Sequence, residues 1–386
     1  MEAVILAGGF GTRLHDLTKD TPKPMVLVAG KPFLTYILDE LDYYHFDHVV
    51  MAVSYLKEQI ISYFGNKYKN ITIDYAIENE PLGTGGAIVN CFPLLKEEWF
   101  FVINGDTISI VDYHEMSKIK NNQILVKKMT NFDRYGEVKI DEKHCITDFN
   151  EKKFVKEGYI NTVIYYLNKT FMQDYKLEGK FSVENDVFAK YIDTLKIKAF
   201  ATDGYFIDIG VPEDYERAQE ELKRTPALFL DRDGIINIDK GHVHKIEDFE
   251  FTPFIFDLTK GYQDKGFKIV VITNQAGIAK GMYPVKDYEV LNEYMIQEFQ
   301  KRGITIAGTF YCPHRDEDHC DCRKPKPGLF IKAIHDLQID VENSVAIGDK
   351  IGDLVAAHAA GVKNLYFVKT RYEEYDPGFE YHVLNF

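Results

Sequence analysis

Asp231 and Asp233 stand two apart, directly after the apolar run Ala227-Leu228-Phe229-Leu230. Strand alternation puts both carboxylates on one side of the chain, where one can attack phosphorus while its neighbour moves a proton. A second constellation opens the chain. Leu6-Ala7-Gly8-Gly9-Phe10-Gly11-Thr12-Arg13-Leu14 follows another apolar run, and Lys23 lies in Pro22-Lys23-Pro24. Glycines let backbone N–H groups approach phosphate oxygens, and Arg13 with Lys23 adds the positive charge a triphosphate needs. Near the other end, Cys312, His314, Cys320 and Cys322 supply three thiolates and one imidazole. That is a complete tetrahedral set for Zn²⁺, with no place left for a substrate, so the zinc it implies is structural. Each motif has an ordinary reading. Asp-x-Asp-Gly is often a turn, a glycine run is often a tight loop, and clustered cysteines can simply be reduced. It is their number and order that argue for chemistry.

Positioning such groups takes sheets with loops at one end. Strand-like apolar runs at 3–7, 48–53, 71–76 and 99–103 alternate with helical patterning such as 32–44, and shorter strands with turns fill 123–167. A charged helix over 213–224 is broken by Thr225-Pro226, and a second series follows. In it, strands at 227–230, 268–273 and 344–347 alternate with helices at 284–302 and 349–360. The pattern predicts an α/β protein with two doubly wound, Rossmann-like domains, 1–224 and 225–386.

Composition sets the outer limits. With 45% hydrophobic and 27% charged residues, the 386-residue chain is neither disordered, collagenous nor coiled coil. Its net charge of −14 disfavours nucleic acid and anionic lipid as partners. No apolar run approaches a bilayer's thickness, and the N-terminus has no basic segment ahead of its short apolar stretch. A cytoplasmic location is expected. Cys91 and Cys145 read as ordinary core or strand residues, and His242, His244 and His319 as polar surface or pocket residues.

The glycine loop with Arg13 and Pro-Lys-Pro resembles the sugar-1-phosphate nucleotidyltransferases, whose fold is GT-A-like. Later features match in order. Glu80-Pro81-Leu82-Gly83-Thr84-Gly85-Gly86 resembles that family's base- and sugar-contacting loop. Asp106 in Asn-Gly-Asp and Asp208 in Phe-Ile-Asp-Ile-Gly resemble its two Mg²⁺-binding aspartates. Glu151-Lys152 and Asn161-Thr162 resemble its sugar-phosphate pair and sugar-contacting strand. The resemblance implies a nucleotide held by Leu6, Ala7, Gly8, Gly9, Gly11, Thr12, Glu80, Gly83 and Thr84. Arg13 would steady the leaving pyrophosphate, Lys23 the α-phosphate and Lys152 the incoming sugar phosphate. The Glu-Pro-Leu-Gly-Thr stretch resembles the guanylyl-transferring and related branches.

Downstream, Asp231-x-Asp233, Thr273-Asn274-Gln275, Lys324 in Arg323-Lys324-Pro325, and Gly348-Asp349-x₃-Asp353 resemble the haloacid dehalogenase-type phosphatases. That likeness makes Asp231 the residue that takes up phosphate, and Asp233 the acid and later the base. Thr273 and Lys324 become the phosphoryl-stabilising pair. Asp349 would share Mg²⁺ with Asp231 and the backbone carbonyl of Asp233, with Asp353 supporting from behind. The cysteine loop is similar to that of the subgroup holding heptose 1,7-bisphosphate 7-phosphatases and histidinol-phosphate phosphatases. Asn274, Arg323 and Lys350 are the expected sugar-phosphate contacts there.

Joined in one chain, the two resemblances imply consecutive steps toward a GDP-linked heptose for surface glycans. The substrates would be GTP and heptose phosphates, the cofactors Mg²⁺ in both domains and structural Zn²⁺. Two alternatives remain at this point. One is a hexose-1-phosphate nucleotidyltransferase with a phosphatase of other specificity, histidinol phosphate included. The other is a non-catalytic phospho-ligand binder.

Overall fold

Four of the five residues in Glu2–Leu6 are buried, and so are all six of His48–Val53, as expected of parallel strands covered on both faces. The computed structural model describes residues 1–9, 18–150, 153–173, 178–370 and 375–384. The chain divides into two units, Met1–Leu222 and Lys223–Phe386.

In the first unit, Glu2–Leu6 lies between His48–Val53 and Trp99–Asn104, parallel to both. The chain moves outward on one side through His48–Val53 to Ile71–Ile77, then returns to the other side at Trp99–Asn104. The gap between Glu2–Leu6 and Trp99–Asn104 is therefore a topological switch point, where loops diverge and leave a crevice. Val155–Asn168, Gln123–Phe132 and Glu137–Ile140 extend the sheet antiparallel, which is the excursion expected over 123–167.

The glycine-rich stretch 83–86, expected as loop, is instead the start of the helix Gly83–Cys91. Tertiary contact overrides the poor propensity. Gly85 N–H donates to the Phe181 carbonyl (3.0 Å), and Phe181 N–H donates to the Leu82 carbonyl (3.0 Å).

The second unit has a parallel sheet ordered Ile306–Cys312, Lys268–Asn274, Ala227–Leu230, Val345–Gly348, Asn364–Val368, His382–Leu384. Its first strand is again central, and the chain reverses direction between Ala227–Leu230 and Val345–Gly348. The helices Val285–Gln300 and Ile351–Ala359 fall inside the stretches expected to be helical.

Candidate active sites

The first site is built at the C-terminal ends of Glu2–Leu6 and Trp99–Asn104. Leu6, Ala7, Gly8 and Gly9 line a cavity of about 280 Å³ together with Glu78, Gly83 and Thr84. A larger cavity of about 840 Å³ is lined by Asn161, Glu184 and Asp208 among others. Gly9, Lys23, Asn104 and Asp106 belong to both, so the two spaces meet at those residues. Lys23 pairs with the Asp106 carboxylate, and its Nζ is 3.7 Å from Asp208 Oδ1. The aspartates are brought together by the pairing of Phe206–Asp208 with Thr107–Ser109, in which Asp208 faces Thr107. Two carboxylates sharing one ammonium, open to a cavity, are hard oxygen donors of the kind Mg²⁺ takes.

Glu78 is buried against this loop and accepts a hydrogen bond from Leu82 N–H (3.0 Å). Burial raises its carboxyl above the usual range. Glu80, the acid expected to meet the nucleotide, is exposed and lines neither cavity. Glu78, directly after strand Ile71–Ile77, lines the small cavity instead. Glu184 has no sequence signature, yet it links the two cavities. It accepts from Thr84 Oγ1 (2.6 Å), Ser182 Oγ (2.7 Å) and Tyr165 OH (2.9 Å). Asn161 Nδ2 donates to Tyr165 OH (3.0 Å). Thr162, expected at the sugar, lines the larger cavity, and its hydroxyl donates to the Leu125 carbonyl (3.0 Å). Gly11, Thr12, Arg13, Glu151 and Lys152 lie outside the described residues.

In the second unit Asp231, Asp349 and Asp353 place carboxylate oxygens within 4.8 Å of one another, all buried. Lys324 Nζ lies among them, 2.9 Å from Asp231 Oδ1 and 2.7 Å from Asp353 Oδ1. One ammonium cannot balance three buried carboxylates. Burial, followed by repulsion from Asp231 and Asp353, pushes Asp349 up to about 8, and its Oδ1 is buried without a hydrogen-bond partner. A divalent cation fits this donor set and its charge deficit. Gly234, with φ +104°, makes the close approach possible: a Cβ there would fall 2.1 Å from Asp349 Oδ2.

Asp353, expected behind the site, is thus a member of the carboxylate cluster. The Asp233 carboxylate lies outside it, accepting from Arg232 Nη2 (2.9 Å to Oδ2), Asn237 Nδ2 (3.1 Å) and Gln275 Nε2 (3.1 Å). Thr273 is buried, and its Oγ1 accepts from Gln275 Nε2 (2.8 Å). Two expected sugar-phosphate contacts are engaged elsewhere. Arg323 pairs with Asp316 and reaches the His314 carbonyl (3.3 Å), while Asn274 binds the Lys324 backbone. Lys350 Nζ is 4.0 Å from Asp239 Oδ2.

Cys312, His314, Cys320 and Cys322 converge at the end of Ile306–Cys312. Their Sγ and Nδ1 atoms are 3.2–3.7 Å apart along the contacting pairs. Four zinc ligands at bond lengths of about 2.0–2.3 Å have similar separations. The residues fit the metal they were expected to hold.

Residues 2–225 match the family model described as nucleotidyl transferase, and residues 321–371 match one described as HAD-hydrolase-like. A D-glycero-alpha-D-manno-heptose 1-phosphate guanylyltransferase from Campylobacter jejuni is 46% identical over 219 residues, 97% of its length and 56% of this chain. A D-glycero-beta-D-manno-heptose-1,7-bisphosphate 7-phosphatase from Helicobacter pylori is 50% identical over 144 residues, 83% of its length and 37% of this chain. The chain belongs to both the nucleotidyl transferase and the HAD-like phosphatase families. For the nucleotidyl transferase half, the crystal structure of HddC from Yersinia pseudotuberculosis complexed with GMP-PN is 42% identical. It covers 57% of this chain and 99% of that one, with a TM-score of 0.53. The small cavity beside Gly8 and Gly9 belongs to the nucleotidyl transferase half, and the Asp231–Lys324 centre to the HAD-like half.

Proposed function

We propose that this protein makes GDP-D-glycero-α-D-manno-heptose in two consecutive reactions. The HAD-like half removes the 7-phosphate of heptose 1,7-bisphosphate. The nucleotidyl transferase half then joins GMP from GTP to the resulting heptose 1-phosphate and releases pyrophosphate. The observation that carries this reading is the union of the two halves in one chain, each resembling an enzyme named for one of those steps. Hydrolysis at C7 leaves the C1 phosphate in place, so the first product is the second acceptor. It leaves the anomeric centre untouched too. Hence the anomer the transferase uses governs the pair, and the guanylyltransferase relative is named for α although the phosphatase relative is named for β.

In the HAD-like half, an Asp231 oxygen bonds to phosphorus as the bond to sugar O7 breaks, and Asp233 protonates the leaving oxygen. Water then attacks the aspartyl-phosphate, losing its proton to Asp233 and freeing the Asp231 carboxylate and inorganic phosphate. Lys324 and Thr273 hold the transferring group. Mg²⁺ held by Asp231, Asp349 and the Asp233 carbonyl, with Asp353 alongside, would offset phosphate charge. Zn²⁺ on the three cysteines and His314 would fix the loop that carries Lys324.

In the other half, the heptose phosphate oxygen attacks the α-phosphorus of GTP. Lys23, where the two cavities meet, steadies the α-phosphate, and Arg13 the departing pyrophosphate; Lys152 holds the acceptor's phosphate. Asp106 and Asp208 would hold Mg²⁺ there, which lessens the repulsion between two anions brought together. Glu78 supports the choice of guanine. A carboxylate can accept from both N1–H and the 2-amino group of that base, whereas adenine and the pyrimidines lack this paired donor edge. The use of GTP and sugar phosphates supports a cytoplasmic location for the activity.

The test is mass spectrometry of one incubation of protein, Mg²⁺, the α-bisphosphate and the four common nucleoside triphosphates. GDP-heptose together with free phosphate is the expected result. A bisphosphate that survives untouched would overturn the heptose assignment.

A further inference from the structure

Gln275 is 2% exposed, and its side chain touches both groups that the phosphatase chemistry needs positioned. Its Nε2 donates to Asp233 Oδ2 (3.1 Å) and to Thr273 Oγ1 (2.8 Å), and its Oε1 accepts from Tyr283 OH (2.7 Å). The amide has one workable orientation. Asp233 Oδ2 already accepts from Arg232 Nη2, so the NH₂ end faces it as a second donor and the oxygen faces the tyrosine hydroxyl. Both amide hydrogens are then used. Thr273 Oγ1 accepts one of them, which directs its own hydrogen away from Gln275 and leaves it for another acceptor.

Tyr283 is built to hold that amide. It is 4% exposed, and a Cβ on Gly277 would fall 2.2 Å from its Cε1, so glycine there makes room for the ring. His244 stacks on the ring at 4.7 Å with the planes 6° apart. Arg232 and Asn237, which also donate to the Asp233 carboxylate, lie within four residues of it in the chain. Gln275 follows a different strand, Lys268–Asn274, and its N–H donates to the Cys312 carbonyl (2.7 Å) at the zinc loop. It therefore fixes Asp233 against a neighbouring strand.

We infer that Gln275, oriented by Tyr283, is a positioning residue that aims Asp233 at the leaving oxygen and Thr273 at the phosphoryl group. This rests on the roles proposed above for Asp231 and Asp233. In the step it serves, the Asp231–phosphorus bond forms, the phosphorus–O7 bond breaks, and the Asp233 proton passes to O7 to give the alcohol.

The experiment compares two substrates in the zinc-loaded full chain. Heptose 1,7-bisphosphate has an alcohol leaving group that must be protonated; p-nitrophenyl phosphate has one that need not be. In the first step, release of the leaving group before the aspartyl-phosphate is hydrolysed, Gln275→Met is expected to lower the rate on the bisphosphate about 100-fold with KM within about threefold, while losing less than about tenfold on the aryl phosphate. Tyr283→Phe, which keeps the ring and its stacking, is expected to show the same pattern at about a tenfold loss on the bisphosphate. Equal losses on both substrates, or no loss, would overturn the inference. If Gln275→Met fails to retain zinc or its circular dichroism, Tyr283→Phe decides alone. Should wild-type protein ignore the bisphosphate but hydrolyse another sugar phosphate, the heptose reading falls, and the same ratio measured on that sugar phosphate still decides for Gln275.

Discussion

Asn274 and Lys324 clasp each other through a reciprocal pair of hydrogen bonds: Asn274 Nδ2 donates to the Lys324 carbonyl (3.0 Å), and Lys324 N–H donates to Asn274 Oδ1 (3.2 Å). The buried Lys324 is thus hung between the end of a core strand and a loop whose other attachment is the cysteine cluster, two residues before it at Cys322.

Removing either attachment should loosen Lys324. Cys320→Ala is expected to release zinc and reduce phosphate release at least tenfold, while GMP transfer to supplied heptose 1-phosphate continues. Asn274→Ala is expected to cost about tenfold in kcat for phosphate release with zinc retained. Zinc content by mass spectrometry, with both activities measured, checks the pair. Unchanged metal in Cys320→Ala would remove the zinc site from the account.

Asp231→Asn removes the carboxylate proposed to attack phosphorus. Phosphate release is expected to fall at least about 1,000-fold, with guanylyl transfer within about twofold of wild type. Loss of both activities would refute independent sites.

Glu78→Gln keeps the shape of the side chain but replaces one acceptor oxygen with a donor. The kcat/KM for GTP should fall about 100-fold, and the preference for GTP over ATP should narrow by a similar factor. Nucleotide competition assays with heptose 1-phosphate read this directly. An unchanged preference would place guanine recognition elsewhere.

Glu2 yields a pH prediction. Burial works against its charge, but N–H groups of Lys96 and Glu97 and the His48 ring outweigh it and hold the carboxyl below its usual value. A lowered carboxylate contributes stability above its unfolded value of about 4.3, and that stability is lost as pH falls through the folded value. Wild-type protein should therefore lose stability in acid more steeply than Glu2→Gln. At pH 7 the substitution is expected to cost about 2 kcal/mol in the first unit. Thermal melts between pH 3 and pH 7 test both statements.

The sheets were legible because parallel strands buried on both faces must be apolar throughout, as in Ala227-Leu228-Phe229-Leu230 and His48–Val53. Groups at the ends of those strands, such as Asp106, Asp231 and Asp349, were legible for the same reason. What stayed hidden depends on contacts across long stretches of chain. Glu184 meets Thr84, a hundred positions away, and nothing local to either residue signals it. Glu80 was expected at the nucleotide from the likeness of the stretch 80–86 to a family loop, and a motif does not signal that Glu78, just ahead of it, lines the small cavity. Gly83 to Gly86 read as loop because intrinsic preference is a weak guide where packing decides.

The two centres answer a shortage of divalent cations differently. In the first, Lys23 already spans both carboxylates, so one net negative charge is left. In the second, three acids face one ammonium and Asp349 keeps an unanswered oxygen. An ion that settles this imbalance binds the folded form and not the unfolded one. By mass action it adds about 1.4 kcal/mol to that half for each tenfold rise in concentration beyond its dissociation constant. Chelation is felt unequally along a single polypeptide: the nucleotidyl transferase half keeps a counterion of its own, and the HAD-like half borrows one from the surroundings.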